Sequence, residues 1–347
     1  MVGELVGESV IIADMAEGSQ VYNKGYYGYP RPGGGLELDL LEALYLLECD
    51  KLKVQIAGKE VDHATLYRRV ARSVDDLQTR YVVYRDLRQR GYIVKLDQGD
   101  FDFRVYPRGA NPHNSQAQNW VLAISERDVF NIAALQEKSE TSQRTRKDLL
   151  LGVVDEEGDI TFYTVEGADP RGETEEKPTT AEGALIDDAV IVLGEEADRL
   201  YENGFYGKKI GPMLQLSLIE TAYLIDKGRL EVRSIRSGQK MGEKGFLANA
   251  KRSQSDFDLR MRAYQDLRSR GMVVKTGFKY GTHFRVYEGN PSKHHSRYLV
   301  HVVPDDYSTV WAEISRAVRL AHGVKKEILF ASSGQDLRYV RLTRVRP

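Results

Sequence analysis

The chain has 347 residues, 41% apolar and 29% charged, with a formal net charge of −1. Such a length fits about two domains or a little more, with ample material for cores. It has no run of about 18 apolar residues, no signal-peptide pattern in MVGELVGESVIIAD, and one cysteine, Cys49. Those features argue against a membrane span, a disulfide framework and a cysteine zinc site, so a cytoplasmic protein is expected.

In chain order, the first half predicts a short strand over 9–13 and an amphipathic helix over 36–48 with leucines at helical spacing. A helix near 63–73 follows, then a helix over 75–90 that Gly91 stops. Strands, one helix and a closing hairpin, VVDEEGDITFY, complete this half. Residues 166–183, EGADPRGETEEKPTTAEG, are polar and acidic without apolar period and read as a linker.

The pattern then repeats, with a strand over 189–193 and helices over 213–226, 243–252 and 255–270, the last stopped by Gly271. YNKGYYG at 22–28 recurs as YENGFYG at 201–207, and LLEALYLLE at 40–48 as LIETAYLID at 218–226. YRDLRQRGYIVK from Tyr84 recurs as YQDLRSRGMVVK from Tyr264, and FRVY at 103–106 recurs at 284–287. The offset, 178 to 181 residues throughout, marks a tandem duplication. The fold class is mixed α/β, of the α+β kind, each copy an N-terminal α+β subdomain followed by a mixed-sheet subdomain. The expected segments are 1–75, 76–165, the linker 166–183, 184–253 and 254–347.

Five of the seven histidines fall between Gly271 and Lys326: His283, His294, His295, His301 and His322. Residues 272–276 read as a strand, GFKYG as a turn, and 282–288 as a strand with Phe284 and Val286 on one face. His283, Arg285 and Tyr287 take the other face. A loop carries His294, His295 and Ser296 to a strand over 297–303; a helix over 308–324 follows, and Lys326 opens the strand EILFAS. Tyr287, His295 and Lys326 thus stand at strand edges that can converge. The first copy reads HNS at 113–115 where the second has HHS, so Asn114 replaces His295, while Tyr106 and Lys147 still match Tyr287 and Lys326. One active and one structural copy are inferred.

Charge is unevenly shared. Residues 184–347 hold 28 Lys and Arg against 19 Asp and Glu, a balance of +9, which leaves −10 for residues 1–183. That asymmetry suits a basic half meeting a polyanion, and also acidic and basic halves meeting each other.

The strings RGMVVKTGFKYGTHFRVYEG, HS before YLV with one residue between, and RAVRLAHGVKK resemble the catalytic half of archaeal tRNA-splicing endonucleases, and the likeness covers nearly the whole chain. Cleaving RNA without metal needs a base for the 2′-hydroxyl, an acid for the departing 5′-oxygen and a cation on the phosphorane. The resemblance implies that Tyr287, His295 and Lys326 fill these roles. A histidine holds and releases a proton near neutrality, and a lysine ammonium opposes growing negative charge. A phenol serves as base only where cations such as Lys326, Arg285 or Lys279 assist it. The implied products are a 2′,3′-cyclic phosphate and a 5′-hydroxyl.

The resemblance further implies a precursor tRNA with a bulge–helix–bulge junction. A flipped base would stack between two arginines of the opposite subunit, Arg319 and either Arg341 or Arg344. It also implies a homodimer in which the acidic loop of the first copy, Asp155, Glu156, Glu157 and Asp159, docks on the partner's catalytic copy. No metal is expected, since the histidines show neither HExxH nor HxH spacing, and no cofactor is expected. His322 is expected to support helix-to-strand packing. Two rivals remain: a non-catalytic RNA-binding subunit, which the intact triad disfavours, and a metal-dependent nuclease, for which residues 272–303 offer only Glu288.

Overall fold

The structure, a computed structural model, describes residues 1–334 and 336–347. Each copy opens with a six-stranded sheet, and the two sheets share one strand order. In the first, Val2–Val6 and Ser9–Ile12 form the central hairpin, with Leu36–Asp39 on one side and Lys53–Ile56 on the other. In the second, Ala181–Ile186, Ala189–Leu193, Met213–Leu216 and Leu230–Ser234 repeat that arrangement.

The helix expected over 36–48 begins only at Leu40, because Leu36–Asp39 alternates buried and exposed residues as a strand. Asp39 then caps the helix, and Glu42 returns a bond to the cap backbone. This reciprocal capping satisfies two orphan donors and sets the helix start. Ser217 and Glu220 do the same for Leu218–Asp226, so the helix expected over 213–226 also yields its first turn to a strand. Two further helices, Met15–Gly25 and Gly194–Gly204, carry too few apolar residues to announce themselves.

The second parts of the two copies share one ten-stranded sheet. From one edge it runs Val273–Thr276, Phe284–Tyr287, Tyr298–Val303, Glu327–Ser333 and Leu337–Val345. It continues through Ile160–Ala168, Asp148–Val154, Asn119–Ser125, Phe103–Val105 and Val94–Leu96. The two nine-residue strands meet antiparallel at the centre, with Val165 opposite Leu342. Each is the sixth residue of its strand, so a pseudo-twofold axis passes between them. Of the second closing hairpin, expected within ASSGQDLRYV, Gln335 lies outside the described residues.

A small second sheet ties the copies again, Val129–Asn131 pairing with Ser308–Val310. The helix expected from 308 therefore starts at Trp311. Behind the sheet junction, Phe130 lies against Trp311 and Phe330, with ring centroids 5.1 and 5.8 Å away. All three are buried, and they belong to a core drawn from both copies. Burying each such ring contributes about 2–3 kcal/mol, so the halves share part of their stability.

The segment expected as a linker is more structured than its composition suggests. Residues 166–168 finish one strand and 181–183 begin another. Between them, Gly172 passes so close to Gly271 that a Cβ on Gly172 would collide with the Gly271 carbonyl. Glu176 accepts from the Tyr206 hydroxyl at 2.7 Å and Arg229 at 2.6 Å, and also pairs with Arg268. Burial pushes this carboxyl up, but Arg268, Tyr206 and Arg229 outweigh it and hold it below the ordinary carboxylate range.

In both copies a lysine of the large sheet, buried in the first and half-buried in the second, docks the N-terminal part. Lys95 donates to the Gly28 carbonyl at 2.6 Å and lies 3.5 Å from Glu42. Lys275 donates to the Gly207 carbonyl at 2.6 Å and lies 3.6 Å from Glu220. Among the described residues no helix is long and apolar enough to cross a membrane.

Candidate active site

The site is built from three adjacent strands. Tyr287 ends its strand opposite Val273, while Arg285 faces Leu299 on the next strand. Leu299 in turn neighbours Ile328 on the third. Two residues toward the same edge from Arg285, Leu299 and Ile328 come Tyr287, Arg297 and Lys326. Alternation therefore puts Tyr287 and Lys326 on one sheet face, two strand spacings apart, or about 10 Å between backbones. Leu299 and Ile328 are buried in the core beneath the Trp311–Gly323 helix, which anchors that face.

The loop that carries His295 leads into the middle one of the three strands. Asn290 turns the loop, its carbonyl accepting from Lys293 at 3.0 Å and His294 at 3.1 Å, its side chain accepting from Ser292 at 2.8 Å. His294 and His295 are exposed and Ser296 is buried. The Lys326 Nζ donates to the Ser296 carbonyl at 2.9 Å, and Tyr287 is 8% exposed. Arg297, which sequence reasoning passed over, staples the loop, reaching Glu288 at 2.6 Å and Glu327 at 2.8 Å. Its acids lie 9 residues before and 30 after, so no local pattern marks it.

The first copy holds the matching residues differently. Asn114 turns its side-chain oxygen back onto the Asn111 N–H at 2.8 Å. Lys147 donates to the Thr145 carbonyl at 3.2 Å and lies 5.2 Å from the Trp120 ring centre.

Arg319 is exposed on the Trp311–Gly323 helix. Arg344 is also exposed and lines a cleft of about 400 Å³ together with Lys326 and His322. Arg341 is engaged elsewhere, its guanidinium bridging Glu327 at 2.6 Å and Glu166 at 2.7 Å. Of the two alternatives, Arg344 is the one whose guanidinium makes no hydrogen bond or ion pair among the described residues. His322, expected in packing, is exposed at the cleft instead, since the helix buries Val318 and Ala321 and turns its last polar residue outward.

His283 and His301 stack with ring centres 4.7 Å apart. The His283 Nδ1 accepts from the Val302 N–H at 2.8 Å. Burial, His301 and Arg260 push the His283 imidazole down to about 4. His301 is also lowered, chiefly by burial. Among the described residues no group of three or more His, Cys, Asp or Glu is arranged to hold a metal ion.

The acidic loop forms the tip between Asp148–Val154 and Ile160–Ala168. Asp155 folds inward, its carboxylate accepting from the Glu157 and Asp159 N–H groups at 3.0 and 2.9 Å. Glu156 pairs with Arg127 at 2.5 Å. Glu157 and Asp159 are exposed and form no ion pair among the described residues.

The duplication recurs in family models. The tRNA intron endonuclease N-terminal domain matches residues 1–67 and 181–247, and the catalytic C-terminal domain of that family matches 77–162 and 257–339. Two two-domain units, each ending in a nuclease domain, make this chain an endonuclease. It is 40% identical to a tRNA-splicing endonuclease of Methanosarcina mazei, over 99% of this chain and 98% of that protein. Similar proteins of the same name occur in Methanococcoides burtonii, 39% identical over 97% of each chain, and Halobacterium salinarum, 34% identical over the whole of both. The chain belongs to the tRNA intron endonuclease family.

Proposed function

We propose that the chain removes introns from precursor tRNA at bulge–helix–bulge junctions, without metal, as a cytoplasmic homodimer. Residues 254–347 form the catalytic unit and 76–165 its non-catalytic counterpart. Residues 1–75 and 184–253 are the N-terminal units, and 166–183 is the connection. The observation that supports the chemistry is the shared sheet face of Tyr287 and Lys326, with Lys326 tied to the loop of His295.

In this reading Tyr287 takes the proton from the 2′-hydroxyl, and the 2′-oxygen bonds to phosphorus. The bond from phosphorus to the 5′-oxygen breaks as His295 protonates that oxygen. Lys326 opposes the charge that grows on the phosphorane. The products are a 2′,3′-cyclic phosphate and a 5′-hydroxyl, and two protomers supply the two cuts. Arg319 and Arg344 suit stacking on an unpaired base, as guanidinium planes do in RNA recognition. Glu157 and Asp159 suit docking on the basic half of a second copy.

The test incubates labelled precursor tRNA with wild type and His295→Ala in excess EDTA and maps the ends. Two cuts leaving cyclic phosphates, and a variant that binds without cutting, are expected. Cleavage abolished by EDTA would establish a metal-dependent enzyme instead, and binding without cutting by wild type would leave a scaffold.

A further inference from the structure

A cleft of about 630 Å³ opens beside Tyr287, on the side away from Lys326. One wall is the N-terminal strand Lys208–Ile210; the other holds Lys275, Arg285 and Tyr287, with Ser292 at the rim. Glu220 also lines it, but its carboxylate is consumed. It accepts from the Gly207 and Ser217 N–H groups at 2.8 and 3.0 Å and neighbours Lys275.

Two cations remain unneutralised. Lys208 is exposed and forms no ion pair among the described residues. Arg285 forms none there either; its Nε is buried without a hydrogen-bond partner, and its guanidinium lies 5.9 Å from the Tyr287 ring centre.

The first copy removes both charges. Tyr29 follows YNKGYYG where Lys208 follows YENGFYG, and its ring covers the Lys95 ammonium at 4.0 Å. Arg104, the match of Arg285, lies 3.6 Å from Asp97, whose place in the second copy is taken by Gly277. Tyr22 and His113 bond across that side at 3.2 Å. At these two positions, among the described residues, the unpaired cations belong to the copy that has His295.

We propose that this cleft is a phosphate subsite for the RNA strand on the 5′ side of the cut, with Lys208 and Arg285 as its two cations. The inference rests on the function above. The polarity follows from the roles: a base at Tyr287 faces the 2′-hydroxyl of the upstream nucleotide, so the chain continues upstream past Tyr287, away from Lys326. The N-terminal unit then takes part in substrate binding.

The experiment measures Kd, its salt dependence and the single-turnover rate at saturating RNA, for precursor tRNA and for precursors trimmed upstream or downstream of the cut. Lys208→Gln and Arg285→Gln should each weaken binding of intact RNA about 3- to 10-fold and reduce the salt slope by about 0.7. Lys208→Tyr, which installs the residue of the first copy, should weaken binding as much as Lys208→Gln or more. Upstream trimming should abolish the differences and downstream trimming should preserve them. Lys244→Gln, at an exposed position on a helix of the same unit, is the control. Arg285→Lys should recover part of the affinity if charge is what counts. A wild type that cuts while these variants bind with its Kd and slope overturns the subsite alone. A wild type that neither binds nor cuts precursor tRNA overturns the proposed function, and the subsite with it.

Discussion

The Lys326 ammonium donates to the Ser296 carbonyl at 2.9 Å, one residue past His295. The two side chains therefore share a mount, and removing the lysine also loosens the histidine. His295→Ala should lower single-turnover cleavage by about 10²–10⁴, the usual worth of a positioned acid, with RNA binding kept. Lys326→Ala should cost about 10²–10³, and the double variant less than the product of the two. Multiplicative losses in single-turnover assays would show that the residues act independently.

The three arginines should separate by what they do. Arg319→Ala and Arg344→Ala should each weaken RNA binding by about 1–3 kcal/mol, the range for stacking on an unpaired base, without changing the melting temperature. Arg341→Ala should instead lower the melting temperature, since it strands Glu166 and leaves Glu327 with Arg297 alone. Filter binding and thermal melts on the same preparations decide this. A stable Arg341→Ala that has lost RNA affinity would return that residue to the binding surface.

Glu157→Gln with Asp159→Asn removes two free charges from an exposed loop tip and touches no internal ion pair. The proposed dimer should dissociate at protein concentrations where wild type stays associated, and added salt should imitate the change. Sedimentation measures both. A dimer indifferent to the substitutions and to salt would assign the contact to another surface.

The His283 imidazole stays neutral in the folded chain down to about 4, against an ordinary value of 6.5. Between those values the unfolded chain binds more protons, so stability should fall as pH drops through that window and be unaffected above it. The surrounding groups are His301, Arg260 and Asp256, the last 3.5 Å away. His283→Gln, which cannot titrate, should flatten the melting temperature against pH over that interval.

Glu176→Gln keeps the side-chain shape but leaves the buried Arg268 without its counter-charge. The cost should be about 3 kcal/mol, seen as a melting point roughly 5 °C lower. An unchanged melt would mean that the connecting segment only passes by.

The duplication, the α+β class and the copy that holds His295 were legible because each is written locally, in repeated strings and period-two alternation. The helix starts at Leu40 and Leu218 were also announced, by Asp39 with Glu42 and Ser217 with Glu220, but the leucine spacing upstream masked them. What sequence could not carry was pairing at long range. Val165 lies opposite Leu342, and Glu176 meets Arg268 over 92 positions. The engagement of Arg341 by Glu166 spans 175, so a terminal arginine that looked free was already committed.

The central pairing of Ile160–Ala168 with Leu337–Val345 also bears on synthesis. The first half waits on the ribosome with its share of the common core uncovered and two strands unpaired, Val129–Asn131 and the longer Ile160–Ala168 edge, whose complement is made some 170 residues later. Until residue 345 has emerged, that edge is a template for a neighbouring nascent chain. Two chains crowded on one message can therefore exchange halves, and the nine-residue seam is where such entangled products would form.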